Sequence, residues 1–190
     1  VSQVLPVVVT KDPYSWMQSM CRRPYTAWWK HHEAHCPNLI PNHVDKRMGF
    51  VRGNQTEVQH LRENGIPFKI RYNPNITVYS NMVDAWNTWY GDYFDVDYPR
   101  VIIRFEDLLL HGELVVGELC RCIGGIPYTG TNFKYISGSA KGASDGLTEA
   151  LLRYTSVDHR LINFTRDDLA FAYGHLNRTM MEILHYSMIP

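Results

Sequence analysis

Apolar and polar positions along the chain alternate between two periods, and the switches between them mark the elements. The first signal is a short apolar run, Val7-Val8-Val9, which reads as a buried strand of a parallel sheet. It ends at Thr10-Lys11-Asp12. Pro13 then stands where proline is tolerated, in the first turn of a helix whose apolar positions are Trp16, Met17 and Met20. Residues 24–78 lose this regularity, because Pro24, Pro37, Pro41, Pro67 and Pro74, together with Gly49, Gly53 and Gly65, cut them into short pieces. They are expected to form a loop-rich insertion. Helical spacing returns over 79–94, where Met82, Trp86, Trp89, Tyr90 and Tyr93 recur at three- and four-residue steps. A second strand is expected over Arg100–Phe105. A helical segment follows from Leu108 to Ile123, interrupted near His111-Gly112 and stopped by Gly124-Gly125. After a loop-like stretch over 126–147 comes a short helix, Leu147–Tyr154. A long terminal helix is then expected, capped by Thr165, with Asp168 at its third position. Its apolar stripe is Leu169, Tyr173, Leu176, Met180, Ile183 and Leu184. Strand–helix units of this kind predict an α/β fold with a parallel sheet flanked by helices, read as one domain over 1–190.

Composition narrows the function classes. The 190 residues carry 19 Lys plus Arg against 19 Asp plus Glu, so the formal net charge is zero. That argues against broad electrostatic capture of nucleic acid or of an anionic membrane, while leaving room for a local basic pocket. No run approaches the roughly 18 apolar residues of a membrane span, and the first residues do not read as a signal peptide. The chain begins without Met and almost directly in a strand, which is expected of a fragment whose upstream part is missing. Any membrane attachment would then come from an anchor in that part.

The cysteines are Cys21, Cys36, Cys120 and Cys122. Cys21 and Cys36 either close a short loop or stay as buried thiols, and Cys120 and Cys122 lie too close in a helix to bridge comfortably. Sequons begin at Asn54, Asn75, Asn163 and Asn177, where chance supplies about one. Asn177 falls inside the expected terminal helix and is read as accidental. The excess leans towards a secretory compartment.

Several residues invite chemistry. Lys11 sits at the carboxyl end of the first strand, where open α/β sheets bind ligands, and a cation beside the N–H groups of a helix start suits a phosphate. His31, His35 and Cys36 could present metal ligands on one turn, but no second cluster at zinc-site spacing accompanies them, so a solvated polar turn is the preferred reading and no metal is expected. Trp28-Trp29 reads as packing rather than a sugar platform. Glu106 and Asp107 are adjacent carboxylates whose side chains diverge, so a cap or a salt bridge is expected before acid/base work.

Three blocks together resemble the PAPS-dependent sulfotransferase superfamily. Lys11-Asp12-Pro13, with Ser19 eight residues after Lys11, is similar to the family's Arg-Asn-Pro and later serine that grip the 3′-phosphate of PAPS. Pro99-Arg-Val-Ile-Ile-Arg-Phe-Glu-Asp-Leu-Leu109 resembles the strand ending in Tyr-Glu-Asp-Leu, with Phe105 in the place of a nucleotide-contacting tyrosine. Asn163-Phe-Thr-Arg-Asp-Asp-Leu169 and the stripe to Met181 resemble the last helix. These blocks cover about half of the chain. The resemblance implies the P-loop nucleotide-kinase-like fold and transfer of a sulfuryl group from PAPS to a hydroxyl or amine acceptor, such as a carbohydrate, in the Golgi lumen or alternatively the cytoplasm. It implies Lys11, Ser19 and Phe105 as nucleotide-binding residues. Lys141 and Gly142 stand where the family carries Arg-Lys-Gly, a weaker match. The family's 5′-phosphosulfate loop has no counterpart in this chain, so the resemblance covers the carboxyl-terminal part of the enzyme. It leaves the catalytic base unassigned and this portion alone expected to be inactive. The competing readings are a non-catalytic nucleotide- or glycan-binding remnant, and a nucleotide-kinase-like phosphotransferase, which would need a Gly-x-x-x-x-Gly-Lys loop that is not visible.

Overall fold

A computed structural model describes residues 4–49, 51, 53–135 and 146–190. In chain order the elements are β1 (Val7–Thr10), α1 (Pro13–Arg22), β2 (Ala27–Trp28), α2 (His43–Arg47), α3 (Gln55–Asn64), β3 (Phe68–Tyr72), β4 (Asn75–Tyr79) and α4 (Met82–Phe94). They continue with β5 (Val101–Arg104), α5 (Phe105–Leu110), α6 (Gly112–Cys122), α7 (Leu147–Thr155), α8 (Val157–Leu161), α9 (Arg166–His175) and α10 (Arg178–Ile183). Among the described residues no helix is long and apolar enough to cross a membrane. The chain divides into two compact units, residues 1–12 with 97–160, and residues 13–96 with 161–190.

The first unit is built on a parallel pair. β1 runs alongside β5 with Val7 opposite Val101 and Thr10 opposite Arg104. The Thr10 hydroxyl donates to the Ile103 carbonyl at 3.2 Å and ties the carboxyl ends together. The α/β class and the parallel pairing are therefore as expected, on a small scale. Burial of β1 is one-sided, contrary to the reading of its valine run. Val8 is buried, whereas Val7 and Val9 each keep 41% of their surface exposed, as alternation in a sheet covered on one face requires. Helix α5 begins directly at Phe105. His111 ends it, and α6 starts at Gly112, so the interruption falls where the sequence put it.

The second unit holds most of the aromatic core. Helix α4 buries Met82, Val83, Ala85, Trp86 and Tyr90, and packs against α1, α9 and β4. Tyr14 and Met17 of α1, Phe68 of β3 and Met181 of α10 are all at most 1% exposed. Trp16 and Trp29 both meet the Phe68 ring, at 6.0 and 5.4 Å between centroids. Truncating an aromatic in such a site costs about 3–5 kcal/mol.

Two sequence readings change in this unit. Residues 24–78 are not a run of loops. They contain α2 and α3, each opened by a reciprocal capping box (Asn42 with Asp45, Asn54 with Glu57), and an antiparallel sheet in the order β2-β3-β4. The prolines mark the joints rather than the absence of structure. The terminal helix is also two helices. Leu176 leaves helical geometry and Asn177 caps α10, accepting from Met180 N at 3.1 Å, so the Asn177 sequon sits at a helix start rather than inside one. The capping box expected at Thr165 and Asp168 is present.

Candidate functional site

The carboxyl ends of β1 and β5 lie side by side because the strands are parallel and in register to Thr10 and Arg104. The next residue of each, Lys11 and Phe105, therefore emerges at the same edge. Lys11 Nζ lies 5.0 Å from the Phe105 ring centroid and 4.4 Å from that of Tyr154 on α7. It donates to the Tyr154 hydroxyl at 2.7 Å. The two rings meet edge to face, 5.0 Å apart. A lysine against aromatic faces gains about 0.5–2 kcal/mol, so the ammonium is held at the strand edge instead of trailing into solvent.

Carboxylates frame this point without joining as an acid/base pair. Glu106 Oε1 accepts from the backbone N–H of Asp12 at 3.1 Å. Asp12, 2% exposed, has its Oδ2 3.3 Å from Arg160 Nη1. Asp107 takes a two-pronged hydrogen bond from Arg104, at 2.7 and 2.6 Å. Glu106 and Asp107 thus fasten the turn and the strand end, the structural roles the sequence favoured.

The structure therefore brings Lys11 and Phe105 together. Ser19 belongs to the other unit, on α1, where its hydroxyl donates to the Trp16 carbonyl at 2.7 Å. Lys141 and Gly142 lie outside the described residues. Tyr154 was missed by sequence reasoning. It looked like the last residue of a short helix, and its partner is 143 positions away. A cleft of about 380 Å³ in this unit is lined by His111, Glu113, Leu114, Arg121, Thr129 and Tyr135 and contains none of the expected nucleotide residues.

The second unit holds a buried polar cluster that the sequence pointed to only in part. Cys36, expected as a candidate ligand beside His31 and His35, is instead bonded to Cys21. His31 stacks on Trp29 at 4.1 Å. His35, 2% exposed, has Nδ1 3.0 Å from Asp45 Oδ2 and Nε2 2.8 Å from Asp168 Oδ2. Burial pulls the His35 imidazole down, but the hydrogen bonds and charges of Asp168 and then Asp45 outweigh it and raise its pKa. Asp168 accepts as well from Leu39 N, from Ile40 N and from both the N–H and the hydroxyl of Thr165. Burial raises the Asp168 carboxyl, and the hydrogen bonds from His35 and Thr165 overturn that and hold it below its ordinary value. His32 Nε2 lies 3.3 Å from Asp45 Oδ1.

The chain matches no family model, no curated protein and no solved structure.

Proposed function

We propose that this chain is the 3′-phosphate-binding part of a PAPS-dependent sulfotransferase with the P-loop nucleotide-kinase-like fold. The observation that carries the reading is Lys11 at the carboxyl end of a parallel strand pair, held against Phe105 and Tyr154. A cation fixed at that edge can pair with a phosphate, and aromatic faces beside it suit a nucleotide. The residues fit the donor's charge, although lysine supplies a point charge where arginine would supply a fork. The sequence resemblance also assigns the Ser19 hydroxyl to the nucleotide. Lys141 and Gly142 remain candidates of the same kind.

The reaction would be in-line transfer of the sulfuryl group to a hydroxyl or amine acceptor, with a carbohydrate as the favoured class. Charge on the leaving phosphate would be met by a 5′-phosphosulfate loop, an element with no counterpart in this sequence. The Cys21–Cys36 disulfide and the sequons at Asn75 and Asn163, whose asparagines are exposed, support an oxidising compartment such as the Golgi lumen.

Calorimetric titration with PAP tests the role of Lys11. A charge-assisted contact to phosphate is worth about 1.5–3 kcal/mol, so Lys11→Ala should weaken PAP roughly 10- to 150-fold. Equal affinities would remove Lys11 from the site. Thermal stabilisation by PAP but not by ATP is expected, and the opposite pattern would favour the phosphotransferase reading.

A further inference from the structure

We propose that His32 Nε2, His35 Nδ1 and a carboxylate oxygen of Asp45 form a binding site for one zinc ion. These ligand atoms lie within 4.8 Å of one another. Zinc bonds to nitrogen and oxygen are about 2.0–2.2 Å, so tetrahedral neighbours sit roughly 3.3 Å apart. His35 Nδ1 lies 3.0 Å from Asp45 Oδ2 and His32 Nε2 lies 3.3 Å from Asp45 Oδ1, so each nitrogen is near that edge length from one oxygen of the carboxylate.

The hydrogen bonds around the cluster orient it for a cation. Asp168 holds the far nitrogen of His35, and four donors besides His35 fix Asp168 in turn. Nε2–H therefore donates to Asp168, and Nδ1 is the nitrogen turned to Asp45. A carboxylate behind a ligating histidine is the usual outer support of a metal site, fixing the tautomer and raising the basicity of the ligating nitrogen. The amide of Asn42 is fixed too, because its Oδ1 accepts from Val44 N and Asp45 N, so its Nδ2 is the atom 3.0 Å from His35 Nδ1. Nδ1 thus faces both the Asn42 amide and Asp45 Oδ2. Nδ1 and Asp45 Oδ2, 3.0 Å apart, share either a proton or a metal ion.

Two further features favour the metal. His32 supplies a third donor that a proton on His35 does not require. Asn38 donates from Nδ2 to Asp45 Oδ1 at 3.0 Å, yet its buried Oδ1 has no hydrogen-bond partner among the described residues, leaving an unspent oxygen beside the cluster. The ligand segment is also constrained, since Cys36 next to His35 is tied to α1 through Cys21. Two imidazole nitrogens and a carboxylate oxygen suit zinc.

The test uses the oxidised full chain, stripped of metal and titrated with zinc against a chromophoric chelator. One zinc per chain is expected, with affinity lowered at least about tenfold by His32→Ala and unchanged by His31→Ala. Absence of stoichiometric zinc in the wild type would overturn the proposal. So would equal affinity in His32→Ala, or an equal loss in His31→Ala, which would mean adventitious capture by surface histidines. Nitrogen-15 NMR of the wild type decides independently of any variant's folding. Zinc should remove the Nδ1 proton of His35, and both ring nitrogens remaining protonated in excess zinc would assign the charge to a proton instead.

Discussion

Replacing Asp168 should destabilise the second unit more than any surface change. The side chain is fully buried and accepts from His35 Nε2, Leu39 N, Ile40 N, Thr165 N and the Thr165 hydroxyl, at 2.8, 2.8, 3.3, 2.9 and 2.6 Å. Asp168→Ala strands these donors in the interior and also removes half of the capping box of α9. Breaking a buried charged pair costs about 3–5 kcal/mol, against a total stability of about 5–15 kcal/mol for a domain. With a urea slope of about 2 kcal/mol/M, the midpoint should fall by roughly 1.5–2.5 M. All five tryptophans lie in this unit, so their fluorescence follows its unfolding without a signal from the other. The measurement is made with the disulfide oxidised and EDTA present. Asp168→Asn is the sharper variant. It keeps the shape, but its amide group turns donors towards donors on at least one side, so its cost should approach that of alanine. A loss below about 1 kcal/mol in both variants would refute the claim that the carboxylate organises this core. The pH dependence has a definite sign. The Asp168 pKa is lowered in the folded state, so its contribution is fully present above the unfolded carboxylate's value, about 3.9, and is lost as the pH falls through the lower folded value. The gap between wild type and Asp168→Asn should therefore narrow in acid.

Other outcomes follow from single contacts. Cys21 and Cys36 are separated by 15 positions, and closing such a loop is worth about 3 kcal/mol, so a Cys21→Ser, Cys36→Ser double variant should lose about that much by the same fluorescence assay. Gly65 ends α3 at φ +82°, and a Cβ there would stand 2.5 Å from Asn81 Cβ and 2.8 Å from Phe171 Cζ. Gly65→Ala should therefore cost more than about 1 kcal/mol and lower the melting temperature, whereas an unchanged melting temperature would mean that the loop yields freely.

Local signals in the chain were enough to determine much of the fold. The valine run and the Val-Ile-Ile run gave β1 and β5, and Pro13 gave the start of α1. The aromatic spacing over 79–94 gave α4, and the Thr165–Asp168 pair gave the start of α9. Each depends on neighbours within a few residues, so one sequence carries it. Lys11 was legible as a chemical group for the same reason, because a cation directly after a strand and before a helix has its position set by the turn.

Tertiary structure decided what depends on distant pairing. Whether β1 was covered on one face or two, and whether residues 24–78 formed a sheet, required knowing which strands meet, and the short β2 carries too little pattern to announce itself. The split between α9 and α10 at Leu176-Asn177 was hidden because the apolar stripe continues across it. Tyr154 reaches Lys11, and Asp168 reaches His35, across 143 and 133 positions. Asp168 looked like an ordinary cap in the sequence, since capping uses only local geometry. Its second task, meeting a histidine in the core, exists only once the fold has removed water from both.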